Sequence, residues 1–370
     1  IEIPDNIRII CRQADLFDPV SLEKLAVDQS RSVAISPADD KTTIQRLLVV
    51  SNSLNGSRNT DTRVNAIISR EEYILPDSIA KRHSITAIQV SKTIAKMIAH
   101  SCTQCGLSAT FTEIFNFEGS EFYTIPLPGA RGLRYFDLIT RVGGGTPAGI
   151  FHGGRVLINP DPELVFQEED QLLVFADTRS APVFLPEVPV SDGALPADTR
   201  VPPEPPDSVT IIGFMEELPT VIRELPENVT DVLLAGIRED LKDEVLGMVE
   251  DLNDRRIRFF DKPIDRKNGL RELAKQSRHI AILSDPEKND NDADMDVILK
   301  ILYLKDIRLK YHLDFNISAQ MSRENSHQLV SDDDNTDYIV TSDVSSLLLA
   351  QLSECPELIG VFQELLTNEG

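Results

Sequence analysis

The chain has 370 residues, 41% of them apolar and 26% charged, with 60 acidic side chains against 37 basic ones and a formal net charge of −23. That length exceeds one ordinary domain and predicts two or three. An acidic surface repels phosphate backbones and anionic lipid heads, which argues against nucleic acid and direct membrane adhesion and suits solubility or cation binding. Four cysteines make no disulfide framework, and the C-x-x-C of Cys102 and Cys105 closes a predicted helix without a second pair to complete a zinc site. No stretch reaches the ~18 apolar residues that span a bilayer. There is no signal peptide, and the sequence opens at Ile1, so it reads as a soluble, cytosolic piece of something larger.

In chain order, apolar runs at 7–11, 32–36, 64–68 and 85–89 predict strands, with helices near 19–28, 41–53 and 91–104. This βαβ grammar predicts a parallel sheet, and residues 1–106 read as a Rossmann-like lobe lacking its first βαβ unit. Residues 107–119 form a helical hinge. Helix 91–104 and the amphipathic stretch 108–117, broken at Gly106, make a helix–turn–helix arm. Its apolar faces need cover from its own core or from another subunit. Residues 120–178 alternate short strands (EFYTIPLP, LRYFDLITRV, PAGIFHGGRVLINP, DQLLVFAD) with Gly and Pro turns, a small and mainly β subdomain. Gly143-Gly144-Gly145 falls between strands and reads as a hairpin loop, not a phosphate cradle. Segment 179–207, with PPEPP at 202–206, is an extended linker. Residues 208–357 form a second, more complete lobe with added strands at 209–214 and 231–236, and 358–370 begin a second hinge.

The two lobes are copies. IRIICRQADLFDPVSLEKLAVDQSRSVAIS from Ile7 parallels IRFFDKPIDRKNGLRELAKQSRHIAILS from Ile257, including the paired L-x-x-L-A helices and Ser30-Arg31 against Ser277-Arg278. Ser69-Arg70-Glu71 answers Ser322-Arg323-Glu324. The segments ending at Gly119 and Gly370 align without a gap, so that Phe111 meets Phe362 and Glu113 meets Glu364. Three ordered matches at nearly one spacing predict a duplication.

Enzyme chemistry is not written in the sequence. A dinucleotide site needs closely spaced glycines after its first strand. The second lobe offers Gly213-Phe214-Met215-Glu216-Glu217, one glycine followed by bulk and two negative charges, which disfavours NAD or ATP there. There is no G-x-S-x-G or H-E-x-x-H, and the six histidines are scattered. The acidic stretch DPEKNDNDADMD at 285–296 follows a strand, as Asp39 and Asp40 do in the first lobe. Carboxylates at the carboxyl edge of a parallel sheet face its ligand crevice and suit a hard cation such as Ca2+. Asp290, Asp292 and Asp294 share the first three spacings of an EF-hand loop, but Met295 and Ile301 stand where that loop needs Gly and Glu. The plainer reading is a flexible, solvated acidic loop, and SDDDNTD at 331–337 reads as another.

Two stretches carry a family resemblance. Q-A-D-x-x-D-P-x-x-L-x-x-L-A followed by S-R-S-V-A-I-S-P-A-D-D resembles the middle of a regulator-of-potassium-conductance (RCK, or TrkA-N) domain. Phe117 to Asp177, F-x-G-S-E-F-Y and then P-x-G-I-x-x-G-x-x-x-L-N-P-D ending in E-D-x-L-L-V-F-A-D, resembles its TrkA-C partner. The junction from Ile114 to Tyr123, with Ile211-Ile212-Gly213-Phe214 as a degenerate first strand, is similar to the CASTOR/POLLUX group of cation channels. The resemblance implies an α/β fold of tandem Rossmann-like RCK lobes with a TrkA-C-like β subdomain between them. It implies a homo-tetrameric gating ring on the cytoplasmic side of a membrane, joined to its own transmembrane pore domain, with Ca2+ as ligand. The candidate cation ligands are Asp39, Asp40, Glu118, Glu121, Asp285, Glu287, Asp290, Asp292 and Asp294. A TrkA-like nucleotide-dependent regulator of a K+ transporter is the alternative, and an enzyme built on a Rossmann core is the third reading.

Overall fold

The computed structural model describes residues 7–36, 39–54, 62–82, 85–185, 207–252, 254–264, 267–330 and 336–367. The proline-rich stretch 186–206 and most of 331–337 lie outside them. The chain divides into two compact bodies, one made of residues 1–90 with 348–356, the other of 91–347 with 357–370. The sequence segments are cut differently, since the helix after Val90 belongs almost wholly to the second body.

The first body contains α1 (Pro19–Glu23), β1 (Ser32–Ile35), α2 (Asp40–Leu54), β2 (Arg63–Ile67), α3 (Asp77–Arg82) and β3 (Ile85–Ile88). The strands form a parallel sheet in the order β1-β2-β3. Leu47 and Val50 of α2 cover Val64, Ala66 and Ile68, with Leu22 closing the same core. The run 7–11 is not a strand, and Ile7, Ile9 and Ile10 are each more than half exposed. Its repeat partner 256–260 is an edge strand held by a neighbour on one side. Among the described residues of this body no equivalent neighbour is present to pair with 7–11.

The second body opens with α4 (Val90–Thr103) and α5 (Leu107–Phe115), and continues through β4 (Glu121–Pro126), α6 (Tyr135–Ile139), β5 (Val142–Gly143), β6 (Thr146–His152), β7 (Arg155–Ile158), β8 (Gln171–Ala176) and β9 (Val183–Phe184). An antiparallel sheet β4-β8-β6-β7 forms the β subdomain. Two expectations change here. The run LRYFDLITRV holds a short helix, because Tyr135 and Leu138, three residues apart, both enter the core while Arg134 pairs with Asp137 on the outside. The three glycines do not turn a hairpin. They carry the chain from β5, which pairs with β9, into β6 of the other sheet. Gly144 has φ +76, and a Cβ there would lie 2.1 Å from the Ala181 carbonyl oxygen, so the crossing admits no side chain.

The second lobe follows with β10 (Asp207–Ile212), α7 (Leu218–Arg223), β11 (Val229–Ala235), α8 (Lys242–Met248), β12 (Arg256–Phe260), α9 (Lys267–Ala274), β13 (His279–Ile282), α10 (Asp290–Tyr311), β14 (Asn316–Met321), α11 (Glu324–His327) and β15 (Thr336–Val340). Its six strands are all parallel, in the order β12-β11-β10-β13-β14-β15. Central strands such as Ile280–Ile282 are buried on both faces, as a sheet covered by helices on both sides requires. Helix α12 (Thr341–Glu354) starts in this body and ends in residues assigned to the first, where Glu354 pairs with Arg31 at 2.6 Å. Helix α13 (Leu358–Leu365) completes the second body.

The arm α4–α5 is fastened to the second lobe by one buried carboxylate. Asp337, in β15, accepts the Gly106 N–H at 2.9 Å, the Ser108 N–H at 3.1 Å and the Ser108 hydroxyl at 2.5 Å. These N–H groups are the unpaired donors at the start of α5, so a side chain far away in sequence does the work of an N-cap. Gly106 takes φ +88 to bring the two helices round the turn. Further along, Phe115 meets Phe362 of α13 edge to face at 4.9 Å, so the two equivalent hinge helices of the duplication pack together. Charge-assisted hydrogen bonds contribute roughly 1.5–3 kcal/mol each, and removing the carboxylate leaves α5's first donors buried. Asp337→Ala therefore loses about 3 kcal/mol in chemical denaturation, with amide exchange rising first in 106–115; unchanged exchange there rules out the clamp.

Candidate functional site

The candidate site is the crevice at the carboxyl edge of the second sheet. From β10 the chain winds outward through β11 and β12, then returns to the other side of β10 as β13 and continues through β14 to β15. The reversal between β10 and β13 is the place where open α/β sheets leave a ligand-binding gap. Gly213 closes β10 with φ +102, donating its N–H to the Ala235 carbonyl oxygen, and a Cβ there would stand 3.1 Å from the Leu283 carbonyl oxygen. The following turn is occupied by Met215, buried, and by Glu216 and Glu217 ahead of α7. A pyrophosphate placed as in a dinucleotide site would meet these two carboxylates.

The mouth of the crevice is bridged by charge. Arg238, just beyond β11, forms an ion pair with Glu287, beyond β13, and a second with Asp240 at 3.2 Å. The neighbouring carboxylates hold the Arg238 guanidinium above its usual range. Under the bridge, the Gln320 side-chain oxygen accepts the Ser284 N–H at 3.2 Å and ties the ends of β13 and β14 together.

The predicted acidic ligands separate into distinct jobs. Asn289 caps α10 by accepting the Asp292 N–H, so Asp290 and Asp292 stand in a helix's first turn and not in a flexible loop. An α-helix turns Asp292 away from the face that Asp290 and Asp294 share, which removes the EF-hand arrangement. Asp290 binds Arg323 at 3.1 Å. Asp285 and Asp296 share Lys288. Asp294 is buried and accepts the backbone N–H groups of Ser322 at 2.7 Å and Arg323 at 3.2 Å.

The first lobe repeats this last device. Asp40 accepts the Ser69 N–H at 2.9 Å and the Arg70 N–H at 2.8 Å. Asp39 caps α2 through the Thr42 N–H and hydroxyl, bonds that hold its carboxyl below the usual range. The repeated Ser-Arg-Glu triplet thus marks a strand end pinned by a helix carboxylate in both copies. Glu118 is exposed, and Glu121 lies on β4, where the Tyr123 hydroxyl donates to it at 3.3 Å. Among the described residues no three His, Cys, Asp or Glu side chains are grouped as a metal ion requires.

Residues given no site role by the sequence now matter: Arg238, Lys288 and Arg323, the cations that pair with the acidic stretch. Arg323 was signalled by its match to Arg70; Arg238 and Lys288 had no signal beyond their charge. Two histidines are also engaged. His152 bonds Asp170 at 2.8 Å in the β subdomain, and His279 bonds Asp207 at 2.8 Å. The second pair sits at the starts of β13 and β10, the edge opposite the crevice. Cys102 is buried, and burial pushes its thiol far up, away from nucleophilic use.

With this geometry in place, the class of protein is defined by fold. The described elements match the human SLO3 gating ring with a TM-score of 0.64 at 14% sequence identity, over 96% of this chain and 76% of that one. The chain has the tandem Rossmann-like fold of an RCK gating ring, with a β subdomain between its lobes. Its sequence narrows this further: residues 91–188 match a family described as Castor and Pollux, part of voltage-gated ion channel. The chain is a relative of the CASTOR/POLLUX ion channels. It is 23% identical over 98% of its length to Probable ion channel POLLUX of Oryza sativa subsp. japonica and to Ion channel CASTOR of Lotus japonicus. It covers 42% and 48% of those proteins, less than half of either. No helix among the described residues is long and apolar enough to cross a membrane.

The division of labour among the carboxylates has a direct test. Asp294→Ala leaves two buried amides unpaired and costs about 2–4 kcal/mol, whereas Asp292→Ala at the exposed helix start costs under ~1 kcal/mol. Equal losses in urea denaturation would refute the assignment.

Proposed function

We propose that this chain is a ligand-sensing gating-ring region that regulates a tetrameric cation channel, acting from the cytoplasmic side on a pore carried elsewhere in the full protein, and that it is not an enzyme. The observation that carries this reading is the tandem RCK-like architecture, joined with similarity along 98% of this chain to parts of proteins named as ion channels. The site chemistry agrees with it. The crevice offers carboxylates and paired cations, and no nucleophile–base pair faces it among the described residues.

Helix α10 supports assembly. Val297, Ile301, Leu304 and Ile307 bury one side of it in the second core. Met295, Leu299, Leu302 and Leu309 run along the other side at alternating spacings of three and four residues, with Asp306 in the one gap. With the neighbouring Tyr303, they are between 40% and 77% exposed. A helix that is apolar on both sides belongs in an interior, and a second copy of the chain supplies the cover.

The mechanism follows from differential binding. A ligand moves a two-state ring only by the difference in its affinity for the two states, and shifting 1:99 to 99:1 takes about 5.5 kcal/mol. Divided among four subunits, that is about 1.4 kcal/mol each. We infer Ca2+ as the ligand, with the mouth carboxylates Asp285, Glu287 and Asp290 leaving their separate pairs and regrouping to exchange Lys288, Arg238 and Arg323 for the ion. In this reading the charge bridges are the resting state and the ion competes with them.

Two outcomes check the proposal. Millimolar calcium raises the melting temperature of the chain, and Glu287→Gln with Asp290→Asn removes most of the rise; no change in melting and no binding heat would end the calcium reading. Leu299→Glu with Leu302→Glu shifts the full-length protein from tetramer towards monomer in light scattering, while a mass unaffected by both substitutions would show that α10 is not an interface.

A further inference from the structure

The second lobe carries a basic cluster on an otherwise acidic chain. Tyr311 is the last residue of α10, whose 22 residues carry it about 30 Å from the acidic helix start at the crevice. Cations converge on its ring. The Arg271 guanidinium lies 5.6 Å from the ring centre, and the Lys275 and Lys310 ammonium groups each lie 5.8 Å from it. Arg271 Nη1 donates to the Tyr311 hydroxyl at 3.2 Å. Arg271 in α9 and Lys275 just beyond it stand one turn apart and share a face.

Carboxylates on the same two helices are committed elsewhere: Glu272 pairs with Lys262, and Asp306 with Lys267. Among the described residues Arg271, Lys275 and Lys310 form no ion pair, in a chain with 60 acidic side chains to offer. The Arg271 Nε is buried and has no acceptor among those residues. Like charges this close repel. The carbonyl ends of helices and the face of an aromatic ring both favour cations, but neither supplies a formal negative charge. The phenol feels the excess. The hydrogen bond from Arg271, then the charges of Arg271, Lys310 and Lys275, hold the Tyr311 hydroxyl below the ordinary tyrosine range, against the effect of burial. Nor does the repeat require the cluster. In the first copy's L-x-x-L-A helix, Glu23 stands where Arg271 does and Val27 where Lys275 does.

We propose that Arg271, Lys275, Lys310 and the Tyr311 hydroxyl form a binding site for a small phosphate-bearing anion. The planar guanidinium matches the oxygens of a phosphate group, the two ammonium groups close on it as mobile point charges, and the phenol O–H adds a donor. The ligand is small and soluble. A net charge of −23 repels an extended polyanion or an anionic bilayer, whereas a single phosphate group meets mainly the local field. Binding relieves the repulsion and ties the end of α9 to the end of α10. The inference stands on this cluster alone and does not depend on the channel reading.

The test titrates inorganic pyrophosphate into the whole chain, at low ionic strength and in buffer free of divalent cations. Binding heat is measured, and the hydroxyl-bearing ring carbon of Tyr311 is followed by NMR. Saturable heat that weakens with added salt is expected, together with a shift of the Tyr311 resonance. The phenol is expected to titrate at higher pH when pyrophosphate is bound, because the anion offsets the cations that make it more acidic. Arg271→Gln weakens binding about tenfold or more. Lys275→Gln with Lys310→Gln weakens it likewise, and both side chains are exposed, so the result does not hinge on whether Arg271→Gln folds. Arg131→Gln, on the β subdomain, leaves binding unchanged. No heat and no shift at millimolar pyrophosphate overturns the proposal, as does binding that survives both sets of substitutions. Cosedimentation with phosphatidylcholine vesicles containing phosphatidylserine, lost in Arg271→Gln, overturns it in favour of a lipid surface. A mass in light scattering that falls with Arg271→Gln, with no effect of pyrophosphate, overturns it in favour of a second copy of the chain.

Discussion

Asp337 holds together what the sequence separates. Its carboxylate gathers the first donors of α5, a helix that closes the first copy, onto β15, the last strand of the second. The arm could otherwise bury its apolar faces only by folding back or by finding another chain. Once it is seated, Phe115 reaches Phe362, and α13 reaches β7 of the β subdomain, where Gly360 lies against Val156. The second body is thus a composite of one copy's lobe, the other copy's arm and the subdomain between them. A rearrangement at any one of these contacts is felt by the rest, because packed interiors shift between discrete arrangements and do not deform smoothly.

Carboxylates recur as fasteners in this acidic chain. Asp40 and Asp294 pin equivalent strand ends, Asp337 caps a helix from a distance, and Asp170 holds both His152 and the Gln167 N–H. Only part of the acidic content is therefore available to a ligand. Asp285, Glu287 and Asp290 at the mouth are held instead by exposed cations, in ion pairs that are individually weak. Weak, exchangeable pairs at a topological switch point suit a sensor better than buried, fully satisfied ones.

The duplication, the parallel strands 32–36, 64–68 and 85–89 and the β subdomain were legible because each is written in apolar spacing, which depends on neighbours in sequence. The strand status of 7–11 was not, because a strand needs a partner and pattern alone does not supply one. The start of α10 has the acidity of a solvated loop, but Asn289 followed by Asp290 and Asp292 is also the composition of a helix N-terminus, and the helix prevails. The acidic residues defeated the reading for a different reason. Sequence counts charges but does not say which are spent: Asp294 on two backbone amides, Glu287 on Arg238, Asp285 and Asp296 on Lys288.

Conversion of ligand binding into a change at a pore is the function proposed for this region. The most direct measurement is the conductance of the full-length protein in planar bilayers while calcium on the cytoplasmic face is stepped from nanomolar to millimolar. The expected result is a cation current whose open probability changes cooperatively with calcium, a change lost when the mouth carboxylates are neutralised. A current indifferent to calcium at every step, or one whose calcium response survives that neutralisation, would contradict it.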